Sequence, residues 1–169
     1  MIKTTFEQEL KEKGILCYKN VGVSMRPLIR QGKDAIVIQP KGDRRLKKYD
    51  VAFYQRISRE GKRTYVLHRV LKVHPNGTYW IVGDNCVRGE TVREENILGV
   101  LSRVVHQGKN RAEGFGYWLY VHTWVAWWPL RFFLLRCFGR GKRLGVTVLK
   151  ALHLDEPFKT FRERHTNGK

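Results

Sequence analysis

Three side chains on separate stretches of this chain are of the types that nucleophilic catalysis uses: Ser24, His68 and Asp84. A serine hydroxyl is a weak nucleophile until a base removes its proton, and an imidazole does this best when a third group fixes its tautomer. Histidine suits the role of base because its ordinary pKa lies close to neutrality. If the fold brings the three together, their types predict a Ser-His-Asp arrangement.

Each of these residues also has an ordinary structural interpretation. Ser24 lies in a predicted turn before Pro27, where a serine hydroxyl often bonds to nearby backbone. His68 lies in a predicted strand, where a histidine commonly serves packing, and Asp84 follows Gly83 at a predicted strand end, where a carboxylate commonly caps a turn. The residue types alone therefore leave catalysis and turn formation both open.

The elements that must position these residues are mostly short strands. A short helix is predicted first, because Phe6 and Leu10 share one face, Thr4 or Thr5 supplies a capping box, and Gly14 is a stop signal. Asn76-Gly77 is the strongest hairpin signal in the chain. Alternating β-branched and aromatic runs predict strands over residues 18–23, 35–38, 51–54, 64–73, 78–82 and 97–105.

This pattern predicts a mainly β fold, a coiled antiparallel sheet or partial barrel with a short N-terminal helix and C-terminal apolar, basic helices. The composition changes after residue 108. Residues 1–108 are therefore predicted to form the β domain that carries the candidate site. Residues 109–169 are predicted to form a linker, a tryptophan-rich helical segment and a basic tail. Pro129 is expected to end one helix and begin the next, and Gly139 to end the second.

The charge and the cysteines limit the classes of partner and cofactor. The chain has 33 Lys and Arg residues against 15 acidic ones, a net charge of +18, which favours an anionic partner. Three cysteines without a C-x-x-C pair and histidines without ligand spacing predict no disulfide framework, no metal and no cofactor. The charged N-terminal residues predict no secretory signal and no N-terminal anchor. Beside Asp84, the thiol of Cys86 is interpreted as a small packing residue rather than a nucleophile.

Four strings, in order along the chain, resemble boxes of the type I signal peptidases. The strings are Gly22-Val23-Ser24-Met25-Arg26-Pro27-Leu28, Asp50-Val51-Ala52-Phe53-Tyr54, Leu67-His68-Arg69-Val70 and Gly83-Asp84-Asn85. The first resembles the family's Ser-Met-x-Pro nucleophile box, the third the box of the general base, and the last its Gly-Asp-Asn box. The resemblance covers residues 18–105 and implies a coiled, mostly antiparallel β domain. The wider superfamily includes the self-cleaving repressors of the bacterial DNA-damage response.

The resemblance also implies roles for individual residues. Histidine at position 68 resembles the archaeal and endoplasmic-reticulum branch, whereas the common bacterial enzymes have lysine there. By this resemblance Ser24 is the nucleophile, His68 the base and Asp84 the orienting acid, with Glu90 as a substitute for Asp84. The implied protein is a serine endopeptidase that cleaves a polypeptide substrate, such as a precursor or exported peptide, through an acyl-enzyme.

One position departs from the family's pattern near the nucleophile. Gly22 stands where the family often has a serine whose hydroxyl helps to stabilise the oxyanion. The oxyanion would then depend mainly on backbone N–H groups, in a neighbourhood that includes Gly22 and Met25. The family's usual N-terminal membrane anchor and the long insertion of its larger members are not recognisable either. The chain therefore resembles a minimal catalytic core.

The tryptophan-rich segment predicts an association with membranes. Residues 117–135 are mostly apolar and number nineteen, close to the ~20 that a spanning helix needs, but His122, Pro129 and Arg131 interrupt them. Tryptophan prefers the headgroup layer and arginine binds anionic lipid, so residues 117–143 are predicted to bind an anionic membrane surface. One apolar stripe is expected at Trp118, Val121, Val125, Trp128, Phe132 and Leu135. The alternative is a helix packed on the β domain or on a partner.

A second class of function is a regulator with the same fold. Such a protein would be non-catalytic or self-cleaving and would bind nucleic acid or a membrane surface, and the net charge of +18 is the reason to consider it. The chain has no recognisable nucleic-acid reading module, and basic charge alone is weak evidence, so the sequence argues against nucleic acid. An inactive membrane-bound scaffold is the third interpretation.

Overall fold

The computed structural model describes residues 6–19, 21–58 and 60–137. The elements, in chain order, are α1 (Phe6–Lys13), β1 (Leu16–Lys19), β2 (Ala35–Pro40), β3 (Val51–Ile57), β4 (Arg63–Val73), β5 (Thr78–Val82), β6 (Gly89–Arg93), β7 (Ile97–His106), β8 (Lys109–Asn110), α2 (Gly114–Tyr120) and α3 (residues 128–137). A short 3-10 turn, Glu94–Asn96, precedes β7, and a π-helical turn, Val121–Val125, follows α2.

The strands form one antiparallel sheet that does not close on itself. Their order is β1-β2-β7-β3-β4-β5-β6, with β8 paired to β7, and every pairing is antiparallel. The register shifts once in each of three pairings, β2 with β7, β3 with β7, and β4 with β5. Bulges of this kind bend strands and increase their twist. The predicted mainly β, antiparallel class is confirmed.

β3 is the central strand, and it is buried on both faces. Val51, Ala52, Phe53 and Tyr54 are all buried, although successive side chains of a strand point to opposite faces. Val51 and Phe53 pack in one hydrophobic cluster, with α1, β1 and β2. Ala52 and Tyr54 pack in a second cluster, with β5, β6 and the start of β7. The β domain thus has apolar side chains packed on both sides of β3.

Most of the predicted elements are confirmed. α1 ends where expected, with Gly14 at φ +65° and its N–H donating to the Leu10 carbonyl at 3.1 Å, the left-handed ending that glycine favours. The hairpin at Asn76-Gly77 joins β4 to β5, and the Asn76 side chain accepts from the backbone N–H of Thr78 at 3.2 Å. Thr4 and Thr5 lie outside the described residues.

Two strands were not predicted, and one predicted strand is too long. β1 ends at Lys19 instead of continuing to Val23, and Gly22 has φ +139°, which removes that stretch from the ladder. β6 has a glycine, two charged residues and a threonine among its five residues, so it lacks an apolar pattern, yet it pairs with β5 over its whole length. β8 has only two residues, and it pairs with the end of β7 to form a short hairpin.

Part of the tryptophan-rich segment packs on the β domain. Val121 and Val125 are 7% and 0% exposed, whereas Trp118 in the same predicted stripe is 52% exposed. The chain divides after Arg131, so the predicted boundary after residue 108 falls within the first compact unit, Met1–Arg131. Helix α3 includes Pro129 in its first turn, which agrees with the predicted start of a helix at this proline. Gly139, residues 144–154 and the basic tail lie outside the described residues.

Within residues 6–19, 21–58 and 60–137, the helices are each too short or too polar to cross a bilayer. The exposed apolar side chains of the segment up to Arg131 are Phe115, Trp118, Leu119, Trp127 and Leu130. The rings of Phe115 and Trp118 stack with centroids 5.8 Å apart.

Candidate active site

The core anchors the turn that carries Ser24. Residues 24–28 form this turn, and the side chain of Met25 is only 1% exposed because it packs in the first hydrophobic cluster with Leu28 and Ile29. The N–H of Ile29 donates to the Met25 carbonyl at 2.9 Å. The buried Met25 side chain therefore anchors the turn in the hydrophobic core. This fixes the position of the neighbouring Ser24, which is partly exposed.

A second turn, residues 83–86, binds directly to the Ser24 turn. The backbone N–H of Asn85 donates to the Ser24 carbonyl at 2.7 Å, and the Asn85 side-chain amide donates to the Val23 carbonyl at 3.2 Å. Within the second turn, the N–H of Cys86 donates to the Gly83 carbonyl at 2.9 Å. The Ser-Met-Arg-Pro and Gly-Asp-Asn strings, far apart in sequence, are thus joined by one backbone hydrogen bond, and the Asn85 side chain adds a second bond to the neighbouring Val23.

Gly83 is the point at which the Ser24 turn meets the His68 ring. A Cβ on Gly83 would lie 2.8 Å from the Ser24 carbonyl oxygen, 3.1 Å from Cδ2 of His68 and 2.8 Å from Sγ of Cys86. The first and last distances are shorter than real Cβ contacts, so only glycine fits without a shift. The fold therefore brings the Ser24 turn and the imidazole of His68 against the same residue.

The strand register fixes what lies on the other side of His68. In the β3–β4 ladder His68 pairs with Ala52, and Tyr54 pairs with Val66, so Tyr54 and His68 are diagonal neighbours on one face. Their ring centroids are 6.3 Å apart. Arg69 follows His68 and therefore points to the opposite face of β4. This alternation separates the polar surroundings of His68 from those of Arg69.

A chain of polar contacts runs from His68 to a carboxylate. Nδ1 of His68 lies 3.3 Å from the Tyr54 hydroxyl oxygen, and that hydroxyl donates to Oε1 of Glu90 at 2.6 Å. Since the Tyr54 proton is used on Glu90, its oxygen is free to accept from Nδ1–H of His68. The Glu90 oxygen itself lies 4.0 Å from Nδ1. This arrangement favours the tautomer in which Nε2 has no proton, and Nε2 adjoins Cδ2, the ring atom that faces Gly83.

Glu90 is itself held in place by a cation. Nε of Arg56 donates to Oε2 of Glu90 at 2.9 Å, and Nη2 of Arg56 donates to Oε1. A bidentate guanidinium fixes the plane of the carboxylate as well as its position. Arg56 and Glu90 are partly exposed, with side chains 48% and 30% accessible. The Glu90 carboxylate therefore lies at the rim of the domain rather than in its interior.

Burial shifts the pKa of His68 in the direction that suits a base. Burial lowers the pKa of His68 below its ordinary value of 6.5, more than the Glu90 carboxylate raises it, while Arg56 lowers it further and Asp84 raises it. The imidazole is thus neutral at pH 7 and able to accept a proton. Burial, and then the contact with Glu90, raise the pKa of the Tyr54 hydroxyl, which stays protonated and able to donate.

Asp84 has a different set of partners. Its carboxylate accepts from Nε and Nη2 of Arg69 at 2.9 and 2.8 Å and from the Tyr120 hydroxyl at 2.7 Å, and both charged side chains are 0% exposed. The Asp84 carbonyl accepts from Nε1 of Trp124 at 3.2 Å. The hydrogen bonds of this carboxylate therefore hold the turn and the helical segment on the sheet, and they do not go to His68.

The arginine of the third string completes this buried cluster. Nη1 of Arg69 donates to the Tyr49 carbonyl at 2.9 Å and to the Tyr117 hydroxyl oxygen at 3.1 Å. Burial lowers the pKa of Arg69, but the Asp84 carboxylate outweighs it and raises that pKa above its ordinary value. The guanidinium is therefore charged, donates from all three of its nitrogens, and is shared between the sheet and α2.

The remaining predicted site residues have backbone or packing roles. Gly22 has φ +139°, a conformation in which a side chain is strained, so a serine of the family's type would not fit here without cost. Burial raises the pKa of the Cys86 thiol, which disfavours the thiolate that a cysteine nucleophile needs. Within the described residues, His, Cys, Asp and Glu side chains form no group of three arranged to hold a metal ion.

Sequence reasoning missed Tyr54 and Arg56. Tyr54 lies in the second of the four strings, where it was interpreted only as part of a strand. The signal that identifies it is the β3–β4 register, which puts residue 54 diagonally opposite residue 68. Arg56 lies two residues further along the same strand, so it shares that face and reaches the same carboxylate.

The sequence matches no protein-family model, and no curated protein matches it either. The function of this site is therefore inferred from the residues themselves. The observations that bear on it are the junction of Ser24 and His68 at Gly83 and the polar chain from His68 to Glu90.

Proposed function

We propose that this protein is a serine endopeptidase of the signal-peptidase type, with Ser24 as nucleophile and His68 as general base. The single observation that carries the proposal is the contact geometry at Gly83, where the Ser24 carbonyl oxygen and Cδ2 of His68 lie 2.8 and 3.1 Å from the position that a Cβ would occupy. The four strings that resemble the type I signal peptidases support it, because three of them contribute to this one place.

The proposed mechanism follows from the protonation states. Nε2 of neutral His68 takes the hydroxyl proton of Ser24 as the oxygen attacks the scissile carbonyl carbon of a polypeptide. The imidazolium then gives that proton to the leaving amine, and the peptide bond breaks to leave an acyl-enzyme. Water, deprotonated by His68, hydrolyses the ester. Backbone N–H groups near Ser24 are the proposed donors to the oxyanion, since residue 22 offers no hydroxyl.

Glu90, acting through Tyr54, is the proposed orienting acid, in place of Asp84. Nδ1 of His68 is 3.3 Å from the Tyr54 hydroxyl oxygen, whereas the Asp84 carboxylate is occupied by Arg69 and Tyr120. The imidazolium that forms during the reaction would be stabilised by the negative charge of Glu90 at 4.0 Å. Asp84 is proposed to position the turn that holds the Ser24 carbonyl.

The test of this function is covalent labelling of the nucleophile. Full-length protein is incubated with an acylating serine reagent at pH 7.5, and the modified residue is mapped by mass spectrometry. We expect a single adduct on Ser24, no adduct in Ser24→Ala, and an acylation rate ~10²–10⁴-fold lower in His68→Ala, the usual contribution of a positioned base.

Ser58→Ala is the matched control for the labelling. Ser58 is also a turn serine, and its hydroxyl oxygen accepts from the backbone N–H of Lys62 at 3.2 Å. Labelling of the Ser58→Ala protein is expected to match the unaltered chain. An adduct spread over several serines, or equal labelling of the His68→Ala protein, would contradict the proposed mechanism.

We propose further that this protein associates with anionic membranes through the exposed side of its tryptophan-rich segment. Trp118 and Trp127 are 52% and 64% exposed while Val121 and Val125 between them are buried. Segments with outward tryptophans and neighbouring cations bind at the headgroup layer. The buried valines attach the segment to the sheet, so the outward side chains are the ones proposed to enter the lipid interface.

Vesicle flotation tests the membrane proposal in the full chain. Removing residues 109–169 is unsuitable, because it would also remove Tyr117, Tyr120 and Trp124 from the Asp84 cluster. Flotation with phosphatidylglycerol vesicles is expected to fall strongly in Trp118→Ser/Trp127→Ser. The control Val21→Ser/Ile57→Ser changes two exposed apolar residues of the β domain and is expected to float normally. Equal flotation of the two double variants would rule out this surface.

A further inference from the structure

A cationic cavity lies beside the turn that carries Ser24. Its volume is about 360 Å³, and four of its six lining residues are cationic, against 33 Lys and Arg residues among 169 in the sequence. The lining residues are Arg26, Pro27, Arg30, Gln31, Lys33 and Arg111. Arg26 and Pro27 belong to the same turn as Ser24. The positive charge is therefore concentrated next to the proposed nucleophile.

One cation of this cavity is fixed by the interior of the domain. Nη1 of Arg111 lies 3.4 Å from Oδ2 of Asp34, which is fully buried, and Nη2 of Arg111 donates to the Pro27 carbonyl at 3.5 Å. Asp34 also contacts Nδ1 of His106 at 2.6 Å and accepts from the backbone N–H of Arg30 at 2.7 Å. The buried carboxylate is thus fully engaged and holds Arg111 in place at the cavity wall.

The other three cations have exposed side chains. Arg26, Arg30 and Lys33 enter none of the ion pairs formed within residues 6–19, 21–58 and 60–137, which involve other cations. No acidic residue lines the cavity either. Several like charges around one concavity raise the local concentration of anions and select against cationic ligands.

A second cavity adjoins the first, and its lining includes two tyrosines. The second cavity has a volume of about 390 Å³ and shares Pro27 and Arg111 with the first. Its remaining lining residues are Leu28, Glu113, Gly116, Tyr117 and Tyr120. The two adjoining cavities are called the groove below, with the residues of the first cavity as its cationic end and Tyr117 and Tyr120 as its aromatic end. The aromatic end is tied to the other half of the site, because the Tyr120 hydroxyl donates to Asp84.

We propose that this groove binds an acidic segment of the polypeptide substrate, with its Asp or Glu side chains at the cationic end. The inference rests on the proposed endopeptidase function, and it adds the chemical class of the substrate. Guanidinium groups bind carboxylates with directional, charge-assisted hydrogen bonds. A lipid phosphate would satisfy the cations equally well, but the adjoining aromatic end and the adjacent nucleophile turn favour an extended peptide over a headgroup.

Peptide binding to the catalytically silent full-length variant Ser24→Ala tests the inference without depending on turnover. Two dye-labelled twelve-residue peptides differ only in three central residues, Glu in one and Gln in the other. At 50 mM salt the Glu peptide is expected to bind about threefold to tenfold more tightly, as two or three partly solvated ion pairs would give. Arg26→Gln/Arg30→Gln is expected to abolish this preference, and Lys33→Gln alone to reduce it.

The control Lys62→Gln/Arg63→Gln removes the same charge from two exposed residues of the β3–β4 hairpin and is expected to keep the preference. Equal binding of the two peptides, or equal losses in the two double variants, would overturn the inference. So would a pattern in which Arg26→Gln/Arg30→Gln weakens binding to phosphatidylglycerol vesicles but not to the Glu peptide. Absence of a Ser24 adduct with the acylating reagent, by contrast, overturns the endopeptidase function, so the two failures are distinguishable.

Discussion

Two carboxylates lie near the adjacent residues His68 and Arg69, and their environments are opposite. Asp84 is 0% exposed, forms a bidentate ion pair with Arg69 and accepts from Tyr120. Glu90 is 30% exposed, is held by Arg56, and accepts from the tyrosine that contacts His68. Because neighbouring residues of a strand face opposite ways, the Asp84 carboxylate is bound in the interior and the Glu90 carboxylate lies on the side of the imidazole, 4.0 Å from Nδ1.

This difference shows that the string to which a carboxylate belongs does not decide which side chains it contacts. Asp84 belongs to the Gly-Asp-Asn string and is the acid that the family resemblance implies, yet its carboxylate accepts from Arg69 and Tyr120 and its backbone carbonyl accepts from Trp124. Glu90 lies outside the four strings, on an edge strand. We therefore expect substitutions of the two residues to produce opposite phenotypes, one in stability and one in catalysis.

The largest expected effect is on the stability of Asp84→Asn. Removing one charge of a buried ion pair leaves the Arg69 guanidinium uncompensated, so the free energy of unfolding is expected to fall by about 3–5 kcal/mol. Urea denaturation at pH 7 measures this loss. In the folded fraction, the rate of Ser24 acylation is expected to stay within about tenfold of the rate of the unaltered chain. Loss of a general base would slow acylation by more than this.

Glu95→Gln is the control for that measurement. Glu95 pairs with Arg93 at 3.5 Å, but both side chains are more than two-thirds exposed, so the pair contributes little. The urea midpoint of this variant is expected to stay unchanged. If Asp84→Asn unfolds at the same urea concentration as Glu95→Gln, the contrast between the two carboxylates is lost.

The next effect is catalytic and belongs to Glu90→Gln. This change removes the negative charge beyond Tyr54, so the imidazolium is less stabilised, and acylation of Ser24 is expected to slow about 100-fold, the low end of what a positioned base contributes. Glu94→Gln is the matched control, because Glu94 is 31% exposed and also pairs with a cation, Lys41. Equal acylation rates in these two variants would show that Glu90 orients nothing.

The smallest effect is a shift in the pH dependence of acylation. The active form of His68 is neutral and burial lowers its pKa, so the acid limb of the rate is expected to have its midpoint below the ordinary value of 6.5. Glu90 raises this pKa and Arg56 lowers it, so Glu90→Gln should move the limb to lower pH and Arg56→Gln to higher pH. A pH–rate profile of each variant gives the midpoints, and shifts of the same sign would contradict this electrostatic account.

The sequence predicts the central strands of the sheet, but it does not predict the edge strand β6. β3, β4, β5 and β7 have β-branched and aromatic residues between clear turn signals, and all four are confirmed. β6 escapes prediction because an edge strand with charged side chains has the composition of a loop. The burial of Val121 and Val125 could not be predicted from local sequence either, because the same apolar pattern on a helix fits packing against a sheet and binding to lipid.

For the candidate site, the sequence predicts the types of residue, but it does not predict which side chains contact one another. Ser24, His68 and Asp84 stand out as types, and the turns at residues 24 and 84 were expected. Which carboxylate reaches the imidazole depends on which face of β4 His68 points to and on the register of β3 against β4. The sequence of a single strand fixes neither of these. Tyr54 could be found only once that pairing was known.

Gly83 gives the site a spacer made of main chain alone. Gly83 places one peptide segment, with a hydrogen in place of a side chain, beside both the Ser24 carbonyl oxygen and the His68 ring. A single methyl group at this position would act as a wedge between them. Gly83→Ala would thus be a way to move the Ser24 turn and the His68 ring apart while Ser24 and His68 both remain in the sequence.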